Sequence, residues 1–334
     1  MATIYLIEQG TYIYKTYQRF VIQTSDKKTI EIPIREVETI LVFGNIQLST
    51  PVINACLEAK ITVLFLSRQG QYKGHLWNLE AINLDNHLTQ FKRREDEIFK
   101  LNVSSAIVKG KLLNSKQLLL RLNRKRKIDK IKTVIEGINS DLRALSSVNN
   151  LDTLRGYEGI SAARYFPAFG CLITNSEFSF CHRYRHPPID PVNSLLSFGY
   201  TLLFNNVLSL IIAEGLSPYL GVFHYGDSKK PYLGFDLMEE FRSPIIDSLV
   251  LTIVNKSLVS SSDFEVVSSE GAVYLNDNGR RVFLKHFEAR MNEEVSHPDL
   301  QSKVCYRRVI QLQIKRYKQS LLSVVPYEPF LRAV

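Results

Sequence analysis

Over roughly the first eighty residues the apolar positions fall in short runs, with none of the spacing of an amphipathic helix. Thr3–Ile7, Thr11–Gln23, Thr29–Pro33 and Val37–Phe43 are rich in Ile, Val, Tyr and Thr, residues that suit a pleated, half-buried surface. Gly10, Asp26-Lys27-Lys28 and Gly44-Asn45 separate these runs as turns. Ser49-Thr50-Pro51 predicts a helix start with proline near the first helical position, and that helix runs to about Ala59. Ile61–Leu66 reads as a fully apolar strand, and Gln69-Gly70-Gln71 turns the chain into Tyr72–Trp77.

Near residue 85 the period lengthens. Asp96 to Leu145 is helical in pattern and heavily charged, and Leu151, Leu154 and Tyr157 mark one face of the next helix. Leu195, Leu196, Gly199, Leu202, Leu203, Asn206, Val207, Leu210 and Ile211 recur at helical spacing over several turns. Asp236–Arg242 predicts a short helix, and Ser243-Pro244 a cap on another that turns Ile245, Ile246, Leu249, Val250 and Ile253 inward. Helical patterns return after Arg280 and from Tyr306 to Leu322. The predicted fold class is therefore α+β: a small β-rich N-terminal domain over 1–85, then a larger all-α C-terminal domain over 86–334.

The stretch from Pro191 to Ala213 has no charged residue and is near the roughly 17–25 residues that span a bilayer. Asn193, Asn205 and Asn206 would then lie in lipid at high cost. A buried helix, and no membrane partner, is the expectation.

Charge changes the picture more. The net charge of +9 points to an acidic partner such as nucleic acid, since Lys and Arg that neutralise phosphates release counterions. The densest basic run, Arg121 to Lys132, includes Arg124, Lys125 and Arg126. It is either a solvated helix face or a set of contacts to DNA backbone. Cys56, Cys171, Cys181 and Cys305 form no C-x-x-C pair, so a cysteine zinc site is not expected. Scattered cysteines and no basic leader before Thr3–Ile7 suggest reduced thiols and a cytoplasmic setting.

Three places put ionisable groups where the pattern expects core or tight packing. In Gly156-Tyr157-Glu158-Gly159, two glycines flank a carboxylate inside a helix, and small residues there let another backbone or a ligand approach. In Val222-Phe223-His224-Tyr225-Gly226-Asp227 a histidine follows apolar residues. In Phe235-Asp236-Leu237-Met238-Glu239-Glu240-Phe241-Arg242 the acidic residues can share one helix face. Singly, each is compatible with an ordinary surface or core position. Together, two carboxylates and an imidazole suit Mg²⁺ or Mn²⁺, an ion that polarises phosphoryl oxygens and activates water or a hydroxyl. No Walker-type loop, H-E-x-x-H or G-x-S-x-G elbow is present, which removes support for nucleotide-driven, zincin and serine-hydrolase chemistry.

Longer blocks add to this. They are Tyr157-Glu158-Gly159 with Ala162 to Phe166, Arg185 to Tyr200, Gly215 to His224, Leu233 to Arg242, Arg307 to Lys318, and Pro329-Phe330-Leu331. In this order they resemble the CRISPR-associated spacer integrases, the Cas-one family; the N-terminal β part matches more loosely. The resemblance implies a homodimer that binds double-stranded and branched DNA and the small partner Cas-two. Its implied activity is a metal-dependent endonuclease and integrase that inserts short DNA segments into a CRISPR array, a DNA 3′-hydroxyl attacking a phosphodiester. Carried over by motif, Glu158, His224 and Glu239 would hold Mg²⁺ or Mn²⁺, and Asp236 looks like the family's extra acidic residue beside them. Many members have Asp where this chain has Glu239, so its carboxylate reaches one methylene further. Arg164 and Arg242 are candidate phosphate contacts, or simply partners of carboxylates. His186–Pro191 reads as a stiff connector. Two other readings stay open: a stand-alone structure-selective nuclease on branched DNA or RNA, and a non-catalytic DNA-binding scaffold.

Overall fold

Val37–Phe43 ends in the apolar run Ile40-Leu41-Val42-Phe43 because it is an interior strand of a largely parallel sheet, where both faces are covered. The structure is a computed structural model that describes residues 2–77, 84–184, 187–226, 230–267, 271–323 and 325–332. In chain order it begins with β1 (Ala2–Leu6), β2 (Tyr12–Thr16), β3 (Arg19–Gln23), β4 (Thr29–Pro33), β5 (Val37–Phe43) and β6 (Gln47–Leu48). Then come α1 (Thr50–Glu58), β7 (Thr62–Leu66) and β8 (Tyr72–His75). The helical part is α2 (Leu84–Arg94), α3 (Glu97–Arg126), α4 (Asp129–Ala144), α5 (Leu151–Gly170), α6 (Pro191–Ala213), α7 (Tyr232–Met238) and α8 (Ser248–Asn255). A short antiparallel pair, β9 (Phe264–Val266) and β10 (Val273–Leu275), precedes α9 (Asp277–Met291). The two-residue β11 (Glu294–Val295) and β12 (Val304–Cys305) pair before α10 (Tyr306–Leu322). The fold is α+β, strands first and then a mostly helical region.

One unit comprises Met1–His87 together with Leu208–Ser217. Its sheets run β1-β5-β7-β8 and β4-β3-β2-β6. The run Thr11–Gln23 is two strands because Tyr17, at φ 51°, takes the left-handed conformation a tight hairpin needs. Ile4, Ile13, Phe20, Ile40, Val52 and Val63 form the core. Cys56 lies among them, its thiol pushed up to about 12 by burial, as expected of an inert core cysteine.

The other unit comprises Leu88–Val207 and Pro218–Val334. Its central element is α3, started by Asp96, whose side chain accepts from Phe99 N at 2.9 Å, and ended by Lys127 at φ 54°. It packs against α4, α5 and the turn that follows α7. Small residues on α3 permit this. A Cβ on Gly110 would come within 2.6 Å of Pro329, so the C-terminal segment lies directly on the helix.

After α7 the expected Asp236–Arg242 helix changes character. Glu239–Phe241 is a 3₁₀ turn and Arg242–Asp247 a π-helical turn that leads into α8. Pro244 has no N–H to offer an i→i−4 bond, which favours the wider turn. Ser243-Pro244 is therefore inside a continuous helical segment and caps nothing; Ser243 Oγ instead meets Ser115 Oγ at 2.8 Å and Asp247 Oδ2 at 3.0 Å.

Among the described residues one helix, α6, is long and apolar enough to cross a membrane, and 78% of its most apolar stretch is buried inside the protein. Core packing accounts for its composition.

Candidate functional site

Glu158 on α5, His224 in the loop before α7, and Glu239 just after α7 are brought to one locality, as the sequence motifs suggested. The histidine is placed by Asp236, which is completely buried. Asp236 Oδ2 accepts from Val222 N at 2.7 Å and Phe223 N at 3.1 Å. Its Oδ1 accepts from His224 N at 2.8 Å and lies 2.8 Å from His224 Nδ1. A carboxylate can only accept, so Nδ1 carries a proton, and in the neutral ring it is Nε2 that offers the lone pair. Nε2 lies 4.0 Å from Glu239 Oε1. This tight loop needs Gly221, since a Cβ there would approach Asp236 Oδ2 to 2.9 Å and His224 O to 2.8 Å. Arg155 holds the loop to α5, donating to Phe223 O at 2.7 Å and lying 4.3 Å from the Tyr225 ring centroid.

Glu239 is buried, and burial alone would raise its carboxyl. The positive charges of Arg242 and Lys111 outweigh that and hold it at about 2. Arg242 Nη2 is 3.0 Å from Glu239 Oε1, and Lys111 Nζ is 2.7 Å from Oε2. Lys111 Nζ also contacts Glu158 Oε1. The two carboxylates thus share one ammonium, supplied by the middle of α3.

The donor chemistry fits a divalent cation: two carboxylates converge on one positive charge, and an imidazole lone pair stands beside them. Glu239 Oε2 is buried with no donor aligned for a hydrogen bond, although Lys111 is at ion-pair distance. As the side chains stand, no three His, Cys, Asp or Glu groups among the described residues are gathered closely enough to hold an ion. Lys111 lies between two of them.

Some expectations changed. Gly156 and Gly159 do not serve close packing, because a Cβ on either would meet nothing within 4 Å. Asp236 and Glu239 both reach His224, at 2.8 Å and 4.0 Å, but Glu240 does not share their side. Glu240 points into the unit, where burial pushes its carboxyl up to about 7. There it accepts from Phe330 N, Tyr327 OH and Gln313 Nε2 and so anchors the C-terminal segment. Arg164 pairs with Asp141, which also accepts from Ser161 Oγ at 2.8 Å. Arg124 and Lys125 are exposed at the end of α3, and Arg126 Nη1 donates to Leu172 O at 2.5 Å. His186 and Asp227 lie outside the described residues.

Sequence reasoning missed Lys111 and Arg155. Lys111 did leave a signal: Ser104, Ile107, Ser115 and Leu118, at i−7, i−4, i+4 and i+7, are all buried. A lysine on such a stripe needs a carboxylate partner.

The family model for CRISPR associated protein Cas1 matches residues 4–289. The chain belongs to the Cas1 family. A CRISPR-associated endonuclease Cas1 of Moorella thermoacetica is 32% identical over 336 residues, 98% of this chain and 98% of that one. A Cas4/Cas1 fusion of Geobacter sulfurreducens, an exonuclease joined to an endonuclease by name, is 32% identical over 334 residues. The match takes in 98% of this chain and 59% of the fusion, so the chain spans little more than half of that relative. Among solved structures, a Cas1 protein from Thermotoga maritima superposes with TM-score 0.82 at 25% identity, covering 97% of both chains. The Cas1 fold recurs, at 22% identity and TM-score 0.86, in a casposase bound to integration product, over 98% of this chain and 93% of that one. It recurs again in a Cas6-RT-Cas1–Cas2 complex, at 21% identity and TM-score 0.85, over all of this chain and 36% of that one.

Proposed function

We propose that this chain is a metal-dependent DNA endonuclease and integrase that inserts short DNA segments into a CRISPR array, working in the cytoplasm. The observation that carries the reading is the convergence of Glu158 and Glu239 on one half-buried cation, Lys111, beside a histidine whose Nδ1 is tied to Asp236, in a chain of the Cas1 family. Glu158, His224 and Glu239 would hold Mg²⁺ or Mn²⁺; Asp236 is a positioning residue whose oxygens are already taken up by the loop. Such an ion, when bound, supplies Lewis acidity to a phosphoryl oxygen and lowers the pKa of a bound hydroxyl or water.

The chain's own residues do the rest. Asp236 fixes the tautomer, so His224 presents a lone pair. Arg242 is stacked over Tyr200, 5.0 Å from ring centroid to guanidinium, which keeps it on Glu239. Partly exposed Arg164, and Arg124, Lys125 and Arg126 at the end of α3, are placed in this reading along the path of the DNA backbone. The net charge of +9 supports an anionic polymer as substrate. Double-stranded and branched DNA, a second copy of the chain and a Cas2 protein are the proposed partners. The last is supported by the fold's recurrence in a complex that contains Cas2.

The test is a strand-transfer assay with Mn²⁺ or Mg²⁺, a duplex with free 3′-hydroxyls, a plasmid carrying repeats and the small partner. Joined products that vanish with Glu158→Ala are expected. Cleavage without joining under every condition would point to a stand-alone nuclease. Binding without turnover would point to a scaffold.

A further inference from the structure

Lys111 lies between the two carboxylates proposed to hold the ion. Its ammonium contacts Glu158 and Glu239, and no other polar partner of it is found among the described residues. A divalent ion held by the same two carboxylates would stand within a few ångström of that ammonium. Two positive charges at such a distance repel strongly in a partly desolvated site.

Arg242 is the less mobile of the two cations: its guanidinium is pinned by Glu239 on one side and the Tyr200 ring on the other. Lys111 has a flexible four-carbon stem and a compact charge. It also lines a small cavity of about 30 Å³ that Glu158, Tyr165, Tyr200 and Asp247 bound as well. The lysine is the group able to yield.

We propose that Lys111 is an exchangeable counterion: it holds Glu158 and Glu239 together until a divalent cation replaces it, and then donates to a phosphodiester oxygen of the DNA. This rests on Glu158 and Glu239 being metal ligands. Two consequences follow. Metal and lysine compete, so the lysine weakens metal binding in the free protein. A phosphodiester gives the released ammonium a new partner, so DNA and metal each strengthen the binding of the other, and by the same factor. The site then loads fully only when substrate is present, which restrains idle nuclease activity.

The experiment is Mn²⁺ binding, read by loss of the free-ion electron paramagnetic resonance signal. It uses the intact chain with and without a short duplex bearing 3′-hydroxyls, held with Ca²⁺-free buffer at a temperature where no product forms. Wild type, Lys111→Met, Lys111→Arg and Glu158→Ala are compared. Lys111→Met is expected to bind Mn²⁺ about tenfold more tightly than wild type without DNA, and to lose most of the gain that DNA confers on wild type. Lys111→Arg should stay close to wild type, because the competing charge remains.

Unchanged or weaker Mn²⁺ binding by Lys111→Met, while Glu158→Ala loses Mn²⁺, overturns the exchange and leaves the metal site standing. Mn²⁺ binding indifferent to Glu158→Ala overturns both. Should Lys111→Met fail to fold, wild-type crystals soaked in Mn²⁺ decide. Lys111 Nζ more than about 4 Å from both carboxylates supports exchange, and Nζ still paired with both beside bound Mn²⁺ refutes it.

Discussion

His224 Nδ1 stands 2.8 Å from Asp236 Oδ1, and the same carboxylate caps the N–H groups of Val222, Phe223 and His224. One buried side chain therefore folds the loop and selects the imidazole tautomer. Asp236→Asn keeps the shape but replaces an acceptor with an amide donor. The expected cost is about 2–4 kcal/mol of stability, as for a buried charged acceptor lost, and about 10–100-fold in Mn²⁺ affinity. Urea melts and Mn²⁺ titration measure both. Wild-type Mn²⁺ affinity in a folded Asp236→Asn would show that the tautomer does not matter.

Glu158, His224 and Glu239 are expected to be individually essential for turnover but unequal for stability. Glu158 and His224 are partly exposed, with side-chain exposures of 19% and 37%. Their alanine variants should melt close to wild type while losing at least about a hundredfold in strand transfer. Glu239 is 3% exposed and carries both Lys111 and Arg242. Glu239→Ala takes the ion-pair partner from Arg242 and leaves Lys111 with Glu158 alone, and should lose about 3–5 kcal/mol as well, so Glu239→Gln is the better kinetic probe. Normal turnover in any folded variant removes that residue from the site.

The order of elements and the three site segments were legible because each rests on local signals: runs of β-branched residues, turn dipeptides, helical spacing and short motifs. What was not legible depends on contacts distant in the chain. Lys111 lies 47 residues from Glu158, and nothing local to α3 reveals its partner; only its place on a buried stripe hints at one. Glu240 looked equivalent to Glu239 until the switch to 3₁₀ geometry turned it toward Phe330, 90 residues on. The π turn at Arg242–Asp247 was misread as a capped helix because Ser-Pro is a common helix-start pair. Here tertiary packing through Ser115 and Asp247 takes the serine hydroxyl instead.

DNA affinity should fall linearly with the logarithm of salt concentration, whatever the sequence. Arg124 and Lys125 are exposed, so Arg124→Ala and Lys125→Ala should each flatten that slope by about one without changing the melt. Arg126 differs, since its guanidinium holds the Leu172 carbonyl; Arg126→Ala should lower stability. Fluorescence anisotropy at several salt concentrations checks this. A slope unmoved by the first two variants takes the end of α3 off the DNA path.

His297 reports on the packing of the C-terminal segment. Its side chain is fully buried and stacks on Phe330, ring centroids 6.4 Å apart. Nδ1 accepts from Asp299 N at 3.2 Å, so Nε2 carries the proton toward Gln313 Oε1, 3.1 Å away. Gln313 in turn donates to Glu240 and to Glu328 O. Burial lowers the His297 pKa below the ordinary histidine value; the Gln313 hydrogen bond opposes this in part, nearby Arg316 adds to it, and Asp299 opposes it least. Below about pH 6.5 the unfolded chain therefore takes up a proton that the folded chain refuses. Stability from this residue is fully present above that pH and is lost as pH falls toward the folded value. His297→Gln should be less stable than wild type at pH 8, by about 1–3 kcal/mol for the disturbed buried pairs. Its stability should nevertheless fall less between pH 6.5 and 5, so the two curves converge. Parallel curves in denaturant melts across that range would mean that His297 takes up its proton equally in the folded and unfolded chain, with Nδ1 released from Asp299 N as pH falls.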